Sequence, residues 1–218
     1  MLAKMLLAST SKNLVFVASA ISSTTTIVVP ATANIGDIAV WFNAASTVGT
    51  TAPVTVVPTG WTSISNNFLS SGSGSTTSMR GISAYKKLVS GDAGSTLTGM
   101  NPLGTTTKEI TIIVFRPSTT VNTIAVGSIN GQAINGIPTN QTLTLSGVKP
   151  PLIGFAHYQS TASPTYSVSG ISMVNVPNGT LMDDKYAIYG SGSIPSNATI
   201  SMTTGTGNVM QSFYLQFS

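Results

Sequence analysis

Side chains that move protons or bind metals are scarce in this sequence: 218 residues include five acidic residues, one histidine and no cysteine. Asp183 and Asp184 form the one adjacent carboxylate pair. Neighbours on a strand point to opposite faces and there share neither a proton nor a substrate. A loop would bring them together, and Ca²⁺ would then want roughly six to eight oxygens around it. His157 shares a face with Ile153 and Phe155 if residues 151–159 form a strand, which reads as a packed, hydrogen-bonded histidine before it reads as a base. A Ser-His-Asp set can be drawn from so many serines, but no Gly-x-Ser-x-Gly elbow accompanies it. Gly72-Ser73-Gly74-Ser75 lacks the strand-turn-helix setting that presents a nucleophile. The sequons at Asn140, Asn178 and Asn197 are chance matches in a chain of which more than a quarter is Ser or Thr. Trp41 and Trp61 are the aromatic candidates for stacking on a sugar. Trp41 shares its strand face with Asp37, Ala39 and Asn43; that face is either an open platform or one covered by a second sheet or subunit, and we favour the covered reading. Trp61, after Pro58-Thr59-Gly60, reads as a plug closing the end of a sandwich. We expect no catalytic residue, no metal ligand and no cofactor.

The elements that must carry these residues are strands, and half of the chain repeats the other half. LVFVASA, TTTIVVP, GDIAVWF, RGISAYKK, GSTLTGM and KEITIIVF are followed by a degenerate second copy: NTIAVGSI, NQTLTLS, PLIGFAHYQ, DDKYAIYG, NATISMT and NVMQSFYLQF. A period near 100 residues is too long for a propeller blade or a solenoid turn. Thr142 and Thr144 alternate with Leu143 and Leu145 in the two-residue period of a half-buried strand. Residues 110–115 are apolar on both faces, as in a central strand or one covered by a second subunit. Asn130-Gly131, Asn135-Gly136 and Asn178-Gly179 are hairpin dipeptides, and no stretch keeps a helical period. The longest irregular stretches are expected at 44–59 and 159–164, in matching places of the two copies. The fold class expected is all-β: an antiparallel two-sheet, jelly-roll-like sandwich of two pseudo-repeated halves of about six strands each, 14–117 and 121–218. Two smaller tandem sandwiches meeting at Val121 are the alternative. Residues 1–13 form an extra apolar arm, with Met1, Leu2, Met5, Leu6 and Leu7 free to contact a neighbour. Lys12 and Asn13 interrupt the apolar run that a secretion signal needs, so residues 14–20 are read as mature strand.

Charge narrows the partners. Charged residues are 6% of the chain, against roughly 25% in an average soluble domain. Lys86-Lys87 is the sole adjacent basic pair, whereas nucleic-acid binders cluster Lys and Arg with exposed aromatics; we expect no nucleic-acid partner. No stretch reaches the ~20 apolar residues of a membrane helix, and no membrane insertion is expected. A dissolved monomer normally keeps itself apart by charge, so a chain with so few charged residues, net +4, is expected to have much of its surface covered by neighbours and to self-associate.

The combination TTTIVVPATANIGDIAVWF, PTGWTSI, SMRGISAYKKLVSGDAGSTLTGM, KEITIIVFRP and SGSIPSNATISMTTGTGNVMQSFYLQFS resembles small virion proteins of tailed bacteriophages, marine and cyanobacterial ones in particular. Pro117 stands where such proteins often have Gly after the Phe-Arg pair. The resemblance implies a non-enzymatic structural protein of the phage particle, most of all a decoration or cement protein of the head surface. Its implied partners are copies of itself, as a homotrimer on a local threefold axis, and the major capsid or other virion proteins. The alternative is a receptor- or glycan-binding module of a tail fibre or another tail or head-tail component. In that case Trp41, Trp61 or the loop over 44–59 would meet the sugar.

Overall fold

The computed structural model describes residues 14–48, 56–69, 77–98, 105–134, 141–148, 151–159, 166–168, 174–175, 182–189, 196–202 and 208–218. Fifteen strands run through them and no helix does: β1 (Leu14–Ser22), β2 (Thr26–Val28), β3 (Ile38–Val48), β4 (Thr62–Leu69), β5 (Thr77–Lys87), β6 (Thr96–Thr98), β7 (Thr105–Pro117), β8 (Ile124–Ile134), β9 (Gln141–Thr144), β10 (Leu152–Gln159), β11 (Tyr166–Val168), β12 (Val174–Asn175), β13 (Met182–Tyr189), β14 (Asn197–Met202) and β15 (Asn208–Phe217).

The strand order displays the duplication. One five-stranded sheet runs β1-β7-β3-β5-β4, and a second runs β8-β15-β10-β13-β12 when read from its other edge. Position by position the first strand of each half lies beside its last, and the third lies between the last and the β5 or β13 strand. The second strands pair elsewhere, β2 with β6 and β9 with β14, the latter joined by β11. That is the pairing pattern of a jelly roll, executed twice, with every ladder antiparallel. Even an irregularity repeats: β1 carries one extra residue against β7 between Phe16 and Ala18, and β8 carries one against β15 between Gly127 and Asn130. Such bulges are inherited with a fold.

Residue alternation explains how the sheets stack. On β3, Ile38, Val40, Phe42 and Ala44 face the second five-stranded sheet, where Ile153 and Phe155 of β10 and Phe213, Leu215 and Phe217 of β15 meet them. The intervening Ala39, Trp41 and Ala45 face Ile27 and Val29 of the β2-β6 ribbon. The sandwich of two five-stranded sheets therefore carries a small sheet outside each: β2-β6 on the first, and β9-β14-β11 on the second, where the Ser212 hydroxyl donates to Gln141 Oε1 at 2.6 Å. β9 buries Gln141 and Leu143 and exposes Thr142 and Thr144, in phase with the sequence pattern. The halves have seven and eight strands, more than the six expected: the additions are β4, in the Ser- and Asn-rich stretch after Trp61, and the short strands β11 and β12. β3 also runs on through Val48, into the stretch 44–59 expected to be irregular. Ala44, Ala45, Ser46 and Thr47 are small enough to be buried in register with both β5 and β7.

Residues 110–115 are apolar on both faces because β7 lies inside its sheet with a layer on either side. This chain covers them itself, so they give no argument for a second subunit. The centre of the molecule is aromatic: Phe42 lies 5.9 Å from Phe155 and 6.0 Å from Phe213, while Phe115 lies 5.9 Å from Phe155 and 5.0 Å from Tyr186. Gly127 faces Tyr214 across the β8-β15 ladder, and a Cβ at that glycine would collide with the Tyr214 ring; the ring uses the space that glycine leaves.

Because both halves contribute to one aromatic core, Phe115→Ala is expected to cost about 3–5 kcal/mol. This corresponds to a fall in melting temperature on the order of 10 °C for a domain of this size. Calorimetry should show one transition moving as a unit; two transitions, only one of them displaced, would contradict a shared core.

Candidate functional site

Polar chemistry gathers at one end of the first half, where the connection between the halves crosses the sandwich. β3 begins there and β7 ends there, so the residue before β3 and the penultimate residue of β7 are brought together. Arg116 donates from Nε to Asp37 Oδ1 at 2.9 Å and from Nη2 to Asp37 Oδ2 at 2.8 Å, the two-pronged geometry that makes Arg–carboxylate pairs strong. Asp37 is 2% exposed. Its Oδ2 also accepts the Asn34 N–H at 2.8 Å, and its backbone carbonyl accepts the Leu88 N–H at 2.8 Å. Gly36 precedes it at φ 90°, a value that L side chains rarely adopt, and this lets the chain turn into the strand. The Asp37 hydrogen bonds raise Arg116 above its ordinary guanidinium value, against desolvation and with the help of the Asp37 charge.

A second pair stands nearby. Lys86 Nζ lies 2.7 Å from Asp92 Oδ1, and the Val89 N–H donates to Asp92 Oδ2 at 2.7 Å. Burial pushes the Asp92 carboxyl up, but the Lys86 hydrogen bond, the Val89 N–H and the Lys86 charge together hold it below its ordinary 3.8. Lys87 points the other way and donates to the Val121 carbonyl at 2.6 Å, tying β5 to the connection between the halves. The connection is closed further by Asn122 and Thr123 N–H groups donating to the Ser218 carbonyl at 2.7 and 3.0 Å.

These groups border a cleft of about 550 Å³ walled by Asn34, Asp37, Lys87, Arg116, Thr119 and Val121. On the far side of Lys87 is a shallower recess of about 400 Å³ that includes Gly60, Tyr85, Lys86 and Asn122. The cleft is polar but chemically committed: Asp37 accepts three hydrogen bonds and cannot serve as a base without giving them up. The described residues hold no group of three or more His, Cys, Asp or Glu arranged for a metal.

The sequence candidates fall elsewhere. Trp41 is 0% exposed and Trp61 8% exposed, both inside the core between the first five-stranded sheet and the β2-β6 ribbon. Trp41 is covered, the reading favoured from its strand face, and what covers it is a second sheet of this chain, so the ring is neither a subunit contact nor a sugar platform. The chain's own outer ribbon covers it, and its indole N–H has no hydrogen-bond partner, so packing alone holds the ring. Trp61 follows the Pro58–Gly60 turn, closed by its own N–H to Pro58 O at 3.1 Å, and serves as core. His157 pairs in register with Asp184 and with Gln211, and Asp183 pairs with Tyr158, all in the second five-stranded sheet; none of them lines the Asp37 cleft. Met1, Leu2, Met5, Leu6 and Leu7 lie outside the described residues. Sequence reasoning missed Asp37–Arg116 because the partners are 79 residues apart; the signal was the charge complementarity of Gly36-Asp37 and Phe115-Arg116 in a chain with few charges. It also passed over Glu109, a buried carboxylate directly opposite Ala44 in the β3-β7 ladder.

Eight large apolar side chains are left exposed among the described residues, four of them on β1 and β2. Val15, Phe16 and Ile21 on β1 and Val28 on β2 are large side chains open to solvent. β1 is the edge of its sheet, with β7 as its one ladder partner. The chain matches no family model, no curated protein and no solved structure.

Arg116→Lys keeps the charge but loses the fork, and a lowered melting temperature with unchanged circular dichroism is the expected result. For Asp92 the folded carboxyl ionises below its unfolded value, so its contribution is present at neutral pH and disappears as the pH falls through the lowered value. The melting temperatures of wild type and Asp92→Asn should therefore differ at pH 7 and converge below pH 3.8.

Proposed function

We propose that this chain is a non-enzymatic structural protein of a tailed-phage particle, a decoration or cement protein of the head surface that binds copies of itself and the major capsid protein. The observation that carries the reading is the pairing of a rigid, duplicated, nearly uncharged sandwich with large apolar side chains exposed along one sheet edge. A neutral surface of this kind resists solution poorly and suits contact with neighbours. The order of the strand motifs quoted above supports the phage assignment. The committed state of Asp37 and Lys87 supports adhesion over catalysis. The receptor- or glycan-binding alternative loses its two aromatic platforms, since Trp41 and Trp61 are core residues.

Adhesion of this type acts through many weak joints repeated over a shell. Purified particles analysed by quantitative mass spectrometry should contain this chain in high copy number, and its absence from particles would end the proposal. The arm supplies a second test. A buried Leu or Met side chain contributes ~1.5–3 kcal/mol, so Met1, Leu2, Met5, Leu6 and Leu7 together can dominate a weak contact even after the arm is ordered. Deleting residues 1–8, with a new initiator Met, should leave a β-rich protein of nearly unchanged melting temperature whose occupancy on particles falls sharply.

A further inference from the structure

A strand edge leaves N–H and C=O groups that only another strand satisfies in full, and proteins normally blunt such edges with charge, proline or a bulge. β1 reads LVFVASAIS: nine residues with no charge and no proline. Of the three devices it has the bulge alone, at Val17. Beyond that bulge residues 18–22 run in regular register with Val114 to Ile110 of β7, leaving five consecutive residues whose outer edge has no ladder partner among the described residues. The opposite edge of this sheet, β4, lies against β8, and β12 has only two residues. From these facts we infer that residues 18–22 are a dimerisation edge, on which β1 of a second copy pairs antiparallel and fuses two five-stranded sheets into one.

The occupant follows from the chemistry of the edge. Its backbone calls for a strand, and its uncharged side chains select no charged partner while allowing two copies to approach without repulsion. Pairing centred on Ala20 sets Ala20 opposite Ala20 of the second copy, Ser19 opposite Ile21 and Ala18 opposite Ser22. Small residues thus lie at the axis, where backbones must come close. Ile21, 42% exposed, gains cover from Ser19 and from the diagonal Ile21 of the other copy, about 7–8 Å away in such a ladder. The same patch on both copies makes a twofold joint, distinct from the threefold arrangement that the phage resemblance implies. The inference stands on the edge itself and does not require the chain to be a virion protein.

The chain has no cysteine, so Ala20→Cys introduces a unique thiol. Directly opposed residues of an antiparallel pair have Cα atoms about 4.5–5.5 Å apart, within reach of a disulfide. The full-length protein at micromolar concentration should sediment as a dimer, Ala20→Cys should cross-link to a covalent dimer on mild oxidation, and Ile21→Lys should be monomeric with an unchanged melting temperature. A monomeric wild type whose Ala20→Cys variant stays uncross-linked overturns the inference. So does a dimer that survives Ile21→Lys and does not cross-link through position 20, which would place the joint on another surface. Cross-linking that appears only after residues 1–8 are deleted also overturns it, because the chain's own arm would then be the occupant of the edge.

Discussion

The contact between the two five-stranded sheets is the constraint on which everything else in this molecule depends. Phe42 and Phe115 from one half and Phe155, Tyr186 and Phe213 from the other meet at centroid separations of 5.0–6.0 Å, in the tilted and edge-on arrangements that aromatic rings prefer. Neither half can bury this face alone, so the duplication is not two domains tethered in series but one core made twice. Once β3 and β7 are committed to it on one face, their other face must be covered too, and the short β2-β6 ribbon covers it, as β9-β14-β11 does for the second sheet. Their brevity is a consequence: each has only to close the outer face of a sheet whose inner face is already closed.

Polar anchoring then fixes the ends. The connection between the halves is short; Lys87 to the Val121 carbonyl and Gln211 to the Gly81 carbonyl at 2.7 Å hold one half against the other, and the backbone bonds of Asn122 and Thr123 to Ser218 fasten the start of the second half to its end. Asp37 and Arg116 do the same within the first half, joining the entry of β3 to the exit of β7. Asp37 and Arg116 thus place two of the chain's few charges where one strand begins and another ends. Removing the carboxylate from its fork and its Asn34 N–H would leave donors without an acceptor in a nearly closed place, which is why such a pair is retained. This use of charge leaves the cleft beside it structured but occupied by its own bonds.

The sequence made some levels of this structure legible and hid others. The repeat was readable because both copies keep the same order of strand motifs, and alternation placed Leu143 on a buried face. Alternation did not say what covers a face: the environment of Trp41 and the two-sided apolarity of residues 110–115 are equally well met by a second subunit or by an outer ribbon three residues wide. TTTIVVP and GSTLTGM were legible as strands, but their pairing as β2-β6 over Trp41 was not, since nothing in either segment says which sheet it covers. Asp37–Arg116 was invisible for a related reason, since a pair 79 residues apart is set by sheet order, and sheet order is a property of the pairing of β7 with β3, not of either segment. The chemistry-bearing residues were legible chiefly through their scarcity, as with His157, Asp183 and Asp184.

Neutrality has a structural reason as well as a consequence. In a stack of sheets the strands at the centre are buried on both faces, so every position of β3 and most of β7 must be apolar or small, and Ser and Thr are the polar residues that fit a pleated surface without needing a counter-charge. The outer face of the stack inherits the same alphabet. Charge, the usual guard of a sheet edge, is therefore missing where β1 runs, and the guard left to it is the bulge that both halves share at the equivalent place, on β1 and on β8. A bulge interrupts a ladder locally but leaves the regular run beyond it intact. The features that let one chain close around itself, two-faced strands and a neutral alphabet, are thus the same ones that leave its edge strand able to accept a neighbour.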